Sequence, residues 1–221
     1  ILINASRQMM ASDLLDLNDN SVETLLNQNF MTSLRLSQLI ATRMIKQSGS
    51  QTEGQAGAIV NLSSIAARRA HPQLLGYSVS TAALDQMTRA MAVALAPHRI
   101  RVNAVAFGSV MSASLQDMLK DNSDFRSDIE KHTPMGRIAP ASDVAETVQY
   151  LASESAGFVT GQILTVDGVA TLLQKRPQTD SPGPVLQVIA IRRHALSEAW
   201  FTTTKEKDRP QLEDAFDVTL S

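Results

Sequence analysis

Cysteine is absent from the 221 residues. That excludes disulfides, thiolate metal sites and a cysteine nucleophile. Neither charge sign dominates: the formal net charge is −2 and acidic and basic residues are interspersed. There is therefore no electrostatic case for nucleic acid or an anionic membrane as a partner. No apolar run approaches the roughly 20 residues of a membrane span. Glycine is sparse, and G-x-x-x-G-x-G occurs nowhere in the chain. The turn that brings backbone close to a pyrophosphate at a helix N-terminus is thus missing from this sequence. His71, His98, His132 and His194 are scattered without metal-ligand spacing, so no metal site is expected. A cytoplasmic protein is expected.

Four short apolar runs read as strands: Ile1 to Asn4, Ala58 to Ser63, Arg101 to Ala106 and Ile163 to Val166. Between them lie helical patterns. Ser21 to Gln47 carries apolar residues near the helical period, Tyr77 to Ala96 is rich in Ala, Met and Leu, and Pro97 follows its end. Asp143 to Ser153 reads as a third helix, with Ser142 as cap and Glu146 in the first turn. Strands alternating with helices predict an α/β fold, a parallel sheet covered on both faces. "QKRPQTDSPGP" from Gln174 to Pro184 reads as a turn-rich linker, and "VLQVIAI" beyond it as a strand.

Several polar patterns fall where strands end or helices begin. "INAS" closes the first strand, Asn29 lies within the first long helix, "NLSS" closes the second strand and "YSVST" opens the second long helix. In open α/β sheets ligands sit outside the carboxyl ends of the strands. Ser64 and the loop after Ala106 are placed at that edge, and the helix starting near Tyr77 delivers its first turns there. Taken singly, Ser64 could cap a turn and Tyr77 could be a core aromatic.

These motifs, with "IRVNAVAFG" and "VTGQILTVDGV", together resemble the classical short-chain dehydrogenase/reductase family over about residues 1 to 173. The nearest types by resemblance are 3-oxoacyl-[acyl-carrier-protein] reductase and, from "NAS", pteridine reductase. The resemblance implies a Rossmann-like, doubly wound, three-layer sheet lacking its first strands in this chain. Residues 1–173 would be the C-terminal part of that domain, and 174–221 a linker and C-terminal extension. It implies an NAD(P)-dependent oxidoreductase acting on a small carbonyl substrate, with NADP or NAD as cofactor. By the same resemblance Tyr77 gives the substrate oxygen its proton, Ser64 hydrogen-bonds that oxygen, and Asn29 holds a helix kink and a water of the proton relay. Asn4 and Ala5 would line the cofactor's path. Phe107, Gly108 and Ser112 would lie near the nicotinamide with Tyr77. A homo-oligomer, dimer or tetramer, is implied through the helices of Asn29 and Tyr77.

The chain departs from the family pattern at several places. Thr81 stands where the family has a lysine whose charge helps the tyrosine ionise. A free phenol titrates near ~10, so ionising it at pH 7 costs about 4 kcal/mol. Loss of the cation should therefore harm alcohol oxidation more than carbonyl reduction. Arg68 and Arg69 are expected to form a solvated pair. Phe107 replaces a proline, and Val169 replaces a glycine that would relieve strain if φ is positive there. The segment from Met111 to Met135 would be a polar substrate loop. These departures support an alternative, a catalytically inactive relative that binds nucleotide or serves as a scaffold subunit. Since residue 1 opens inside a strand, about 80 residues of such a fold are expected upstream, or a second chain completes the sheet.

Overall fold

The computed structural model describes residues 1–50, 52–120 and 123–172. The linker and strand expected beyond Gln174 lie outside the described residues. Four parallel strands form one sheet in the order β1 (Leu2–Asn4), β2 (Gly57–Ser64), β3 (Ile100–Phe107) and β4 (Ile163–Val166). Asn4 pairs with Asn61, Ser64 with Phe107, and Phe107 with Val166. Three strands therefore end side by side on one edge of the sheet.

Side chains alternate between the two faces of each strand. Ile59 and Val102 point to one face and meet Ala41, Met44 and Ala92 from two helices, α2 (Thr32–Ser48) and α3 (Leu75–Leu95). Val60 and Val105 point to the other and meet Val144, Val148 and Leu151. Those three belong to the helix of residues 141–152. Both faces being covered explains why the strands read as near-continuous apolar runs. A polar seam crosses the first face: Asn4 Nδ2 donates to Ser37 Oγ (2.9 Å) and Asn61 Oδ1 (2.7 Å), and Asn61 Nδ2 to Thr88 Oγ1 (2.8 Å). These groups are buried but partnered, so they fix register rather than cost stability. Among the described residues β1 pairs on one side only, and Ile1 and Ile3 border an apolar groove of about 660 Å³. No helix among these residues is long and apolar enough to cross a membrane.

The first long helix is not uniform. It runs as α1 (Ser21–Leu25), a wider π turn (Leu26–Met31) and then α2. Such turns commonly mark functional positions, and Asn29 sits within this one. The expected loop from Met111 to Met135 is corrected to two short helices, α4 (Ala113–Leu119) and α5 (Ser123–Lys131). Leu115 and Leu119, one helical turn apart, pack with Ile138, and that contact outweighs the polar composition. The third expected helix is α6 (Ala141–Ala152), starting two residues earlier than its sequence pattern suggests. Ser142 is inside it and does not cap it; extended Pro140 precedes the first turn, and Asp143 rather than Glu146 is the first-turn acid. Proline is suited there because its fixed φ and missing N–H cost little at a helix start.

Val169 adopts φ 72°, a left-handed conformation that a β-branched side chain resists. Asp167 holds the turn, accepting from the Val169 N–H (2.9 Å) and from the Thr171 N–H (2.6 Å). Val169→Gly is expected to raise stability by about 1 kcal/mol, strain relief being partly offset by glycine's greater freedom when unfolded. Urea unfolding of the two proteins checks this, and an unchanged midpoint would show that the turn is unstrained.

Candidate active site

Tyr77 is the third residue of α3 and is 5% exposed; Ser64 is the last residue of β2 and 6% exposed. The strand ends bring their segments to the same edge as Phe107. Ser64 Oγ accepts from the Ala66 N–H (3.2 Å), and its own O–H has no acceptor among the described residues. The Tyr77 phenol makes no hydrogen bond among the described residues. Two hydroxyl donors at this edge are thus unspent.

Asn29 is 2% exposed. Its amide accepts from the Gln8 N–H (2.8 Å) and donates to the Gln8 carbonyl (2.9 Å) and to Ser80 Oγ (3.1 Å). It therefore clamps the loop after β1 to the helix that carries Tyr77. Asn4 is committed to the buried seam, and Ala5 is exposed just past the strand. Gly108 follows Phe107 so closely against Asp167 that an added Cβ would stand 3.2 Å from the Asp167 Cβ. Ser112 is exposed and caps α4, its Oγ accepting from the Leu115 N–H (3.2 Å). Thr81 is fully buried and donates to the carbonyls of Tyr77 (2.9 Å) and Ser78 (3.1 Å).

One residue carries no motif and enters the site only through the fold. The Arg7 guanidinium lies over the Phe107 ring, 4.1 Å from its centroid, and 5.4 Å from the centroid of Tyr77. Its Nη1 donates to the Ser63 carbonyl. Burial pulls Arg7 below the ordinary arginine value, and the charge of Tyr77 acts in the opposite sense. Arginine stays cationic at neutral pH even so. Its one sequence signal is its place three residues after Asn4, at a strand's carboxyl end. Arg68 is exposed as expected, whereas Arg69 is half-buried, and each has its own partner. Arg68 donates to Thr165 Oγ1 (3.1 Å) and Arg69 to the Ala170 carbonyl (2.9 Å), so each ties its loop to the segment after β4 or to β4 itself.

Behind the site, Asp85 accepts from Ser63 Oγ (2.5 Å). Burial raises its carboxyl above the ordinary range, against the Ser63 bond and the charges of Arg68 and Arg89. A group raised on folding holds its proton more tightly in the native state. Its contribution is full below the unfolded carboxylate value and is lost as pH rises through the folded one. Asp85→Asn keeps an acceptor for Ser63 and carries no charge. Its stability relative to the parent is therefore expected to climb between pH 4 and 7, by urea midpoints; a constant difference would rule out a native proton affinity above the unfolded one.

A family model described as "Enoyl-(Acyl carrier protein) reductase" matches residues 2–170. The chain is 33% identical over 168 residues to L-xylulose reductase of Mus musculus, covering 76% of this chain and 66% of that protein. It is 34% identical over 168 residues to D-erythrulose reductase of Gallus gallus, covering 76% and 65%. Among solved structures it is similar to gluconate 5-dehydrogenase from Burkholderia cenocepacia in complex with NADP and tartrate. There the TM-score is 0.69 at 26% identity, covering 78% of this chain and 65% of that one. The chain belongs to the short-chain dehydrogenase/reductase family. It spans just under two thirds of the length of these curated relatives.

Proposed function

We propose that the protein is an NAD(P)-dependent oxidoreductase that reduces a small carbonyl compound, with Tyr77 as proton donor and Ser64 as the clamp on the same oxygen. The observation that carries this reading is the pair of unspent hydroxyl donors at the carboxyl edge of the sheet. Two O–H groups aimed at one acceptor stabilise charge as it develops on that oxygen. The Tyr77 proton then moves to the substrate oxygen.

The residues fit the nicotinamide end of a dinucleotide. A phenol and a serine hydroxyl without internal acceptors leave donors beside the strand ends, and Gly108 lets its loop pack tightly on Asp167 and Ile65 there. Asn4, Ala5, Tyr77, Phe107, Gly108 and Ser112 would border it; when bound, the dinucleotide supplies the hydride. The gluconate 5-dehydrogenase solved with NADP favours NADP over NAD here. Relatives named for xylulose and erythrulose reduction favour a small polar carbonyl substrate. Leu39, Val79 and Val93 are exposed on α2 and α3, and support a homo-oligomer formed through those helices.

Thr81 favours a second reading, an inactive nucleotide-binding or scaffold subunit, because it is buried against the carbonyl of Tyr77 and brings no cation. Fluorescence titration with NADPH and NADH, followed by assay on small ketoses, separates the two. Saturable NADPH binding with ketose reduction is expected. Binding without turnover would favour the inactive subunit, and no binding of either nucleotide would leave only the scaffold.

A further inference from the structure

We propose that Arg7 provides the positive charge beside the Tyr77 phenol that position 81 lacks, and is the positioning cation of this site. The proposal rests on the reductase reading for its role in turnover, but its central contact is independent of that reading. Three features hold the guanidinium in place. Its face meets the Phe107 ring at 4.1 Å, its Nη1 donates to the Ser63 carbonyl, and Asn29 fixes the next residue, Gln8, by both backbone groups. A proline at 107 would offer no aromatic face to a cation; phenylalanine does. The departures at 81 and 107 thus become two parts of one arrangement, a cation moved from the helix to the loop after β1 and a ring that seats it.

The charge is not neutralised locally. No carboxylate lies in salt-bridge contact with Arg7 among the described residues, and Tyr77 is the ionisable group to which it is electrostatically coupled. Other ionisable groups around this end of α3 are engaged or turned outward. Arg68 and Arg69 are bonded to the segment at and after β4, and Asp85 is bonded to Ser63. Glu23 of α1, His71 before α3, and Arg35, Arg43 and Lys46 of α2 lie at least partly in solvent. Arg101 of β3 is at the opposite end of that strand, bonded to Leu151, Ser153 and Val159 carbonyls. A cation near a phenol favours its anionic form. In reduction that charge appears as the proton leaves the Tyr77 oxygen for the substrate oxygen; in oxidation the anion is needed from the start.

The chain has two tyrosines, so Tyr150→Phe leaves Tyr77 as the sole phenol. In that background the tyrosinate absorbance is followed against pH, without cofactor or substrate. Arg7→Gln is expected to move the transition upward by about one pH unit. Arg7→Lys should stay near the parent, and Arg7→Gln with Thr81→Lys should return toward it. Under turnover, Arg7→Gln should lower alcohol oxidation at least about tenfold and carbonyl reduction less. A transition unmoved in a folded Arg7→Gln protein would overturn the proposal. Should that variant not fold, a transition that stays put in Arg7→Met would do the same. A protein that reduces no carbonyl but shows the shift would refute the proposed function and leave the role of Arg7 standing.

Discussion

Replacing Tyr77 with phenylalanine is expected to lower kcat/KM for carbonyl reduction by about 10²–10⁴-fold, the usual worth of a positioned proton donor. The change removes one oxygen from a side chain that is 5% exposed, and that oxygen makes no hydrogen bond among the described residues. The ring, its contact with Arg7 and the fold of α3 are retained. Unfolding midpoints and NADPH affinity should therefore stay close to the parent values while turnover collapses. Steady-state kinetics beside fluorescence titration read the two quantities separately. Retention of full turnover by Tyr77→Phe would sink the assignment of the proton donor. Loss of NADPH affinity as well would mean that the phenol binds dinucleotide and does not only transfer a proton.

The second large effect is at Gly76, one residue earlier. A Cβ there would stand 2.9 Å from the Ser21 carbonyl oxygen and 3.0 Å from the Val22 Cα, both backbone atoms of α1. Backbone cannot rotate away as a long side chain can. Gly76→Ala therefore has to push α3 off α1. Overpacking of this kind costs about 1–3 kcal/mol, set against about 1 kcal/mol gained because alanine suits a helix better than glycine. The Gly76 N–H also donates to Ser12 Oγ (3.0 Å), which accepts from Ser21 Oγ (2.8 Å), so a shift there strains two further bonds. The first turn of α3 carries Tyr77, and a displacement of ~1 Å at a reacting group can cost about 10²-fold in rate. We expect a net loss of about 1–2 kcal/mol in urea unfolding with a disproportionate fall in kcat. Parent-like stability and rate would show that the two helices separate without strain.

These two positions differ in how far they could be read from sequence. Tyr77 stands in "YSVST", at a fixed distance from "NLSS", so the order and spacing of residues are enough to make it a candidate. Gly76 is one of ten glycines, and nothing local distinguishes it; its importance comes from a helix that precedes it by more than 50 residues. Thr81 is similar. Its type shows that a cation is missing, but not that its hydroxyl turns back onto the Tyr77 carbonyl.

The chain itself determined the alternation of strands and helices, the order of the site motifs and the absence of a lysine at 81. Those features are written in periodicity, spacing and residue type, which are local properties of a polymer. Tertiary structure alone decided that Arg7, seventy positions from Tyr77, rests over its ring, that Asn29 clamps Gln8, and that Ala113–Leu119 and Ser123–Lys131 coil into helices. Such contacts depend on strand register and on which helix meets which face, and a side chain's neighbours across a sheet leave no trace in the residues beside it.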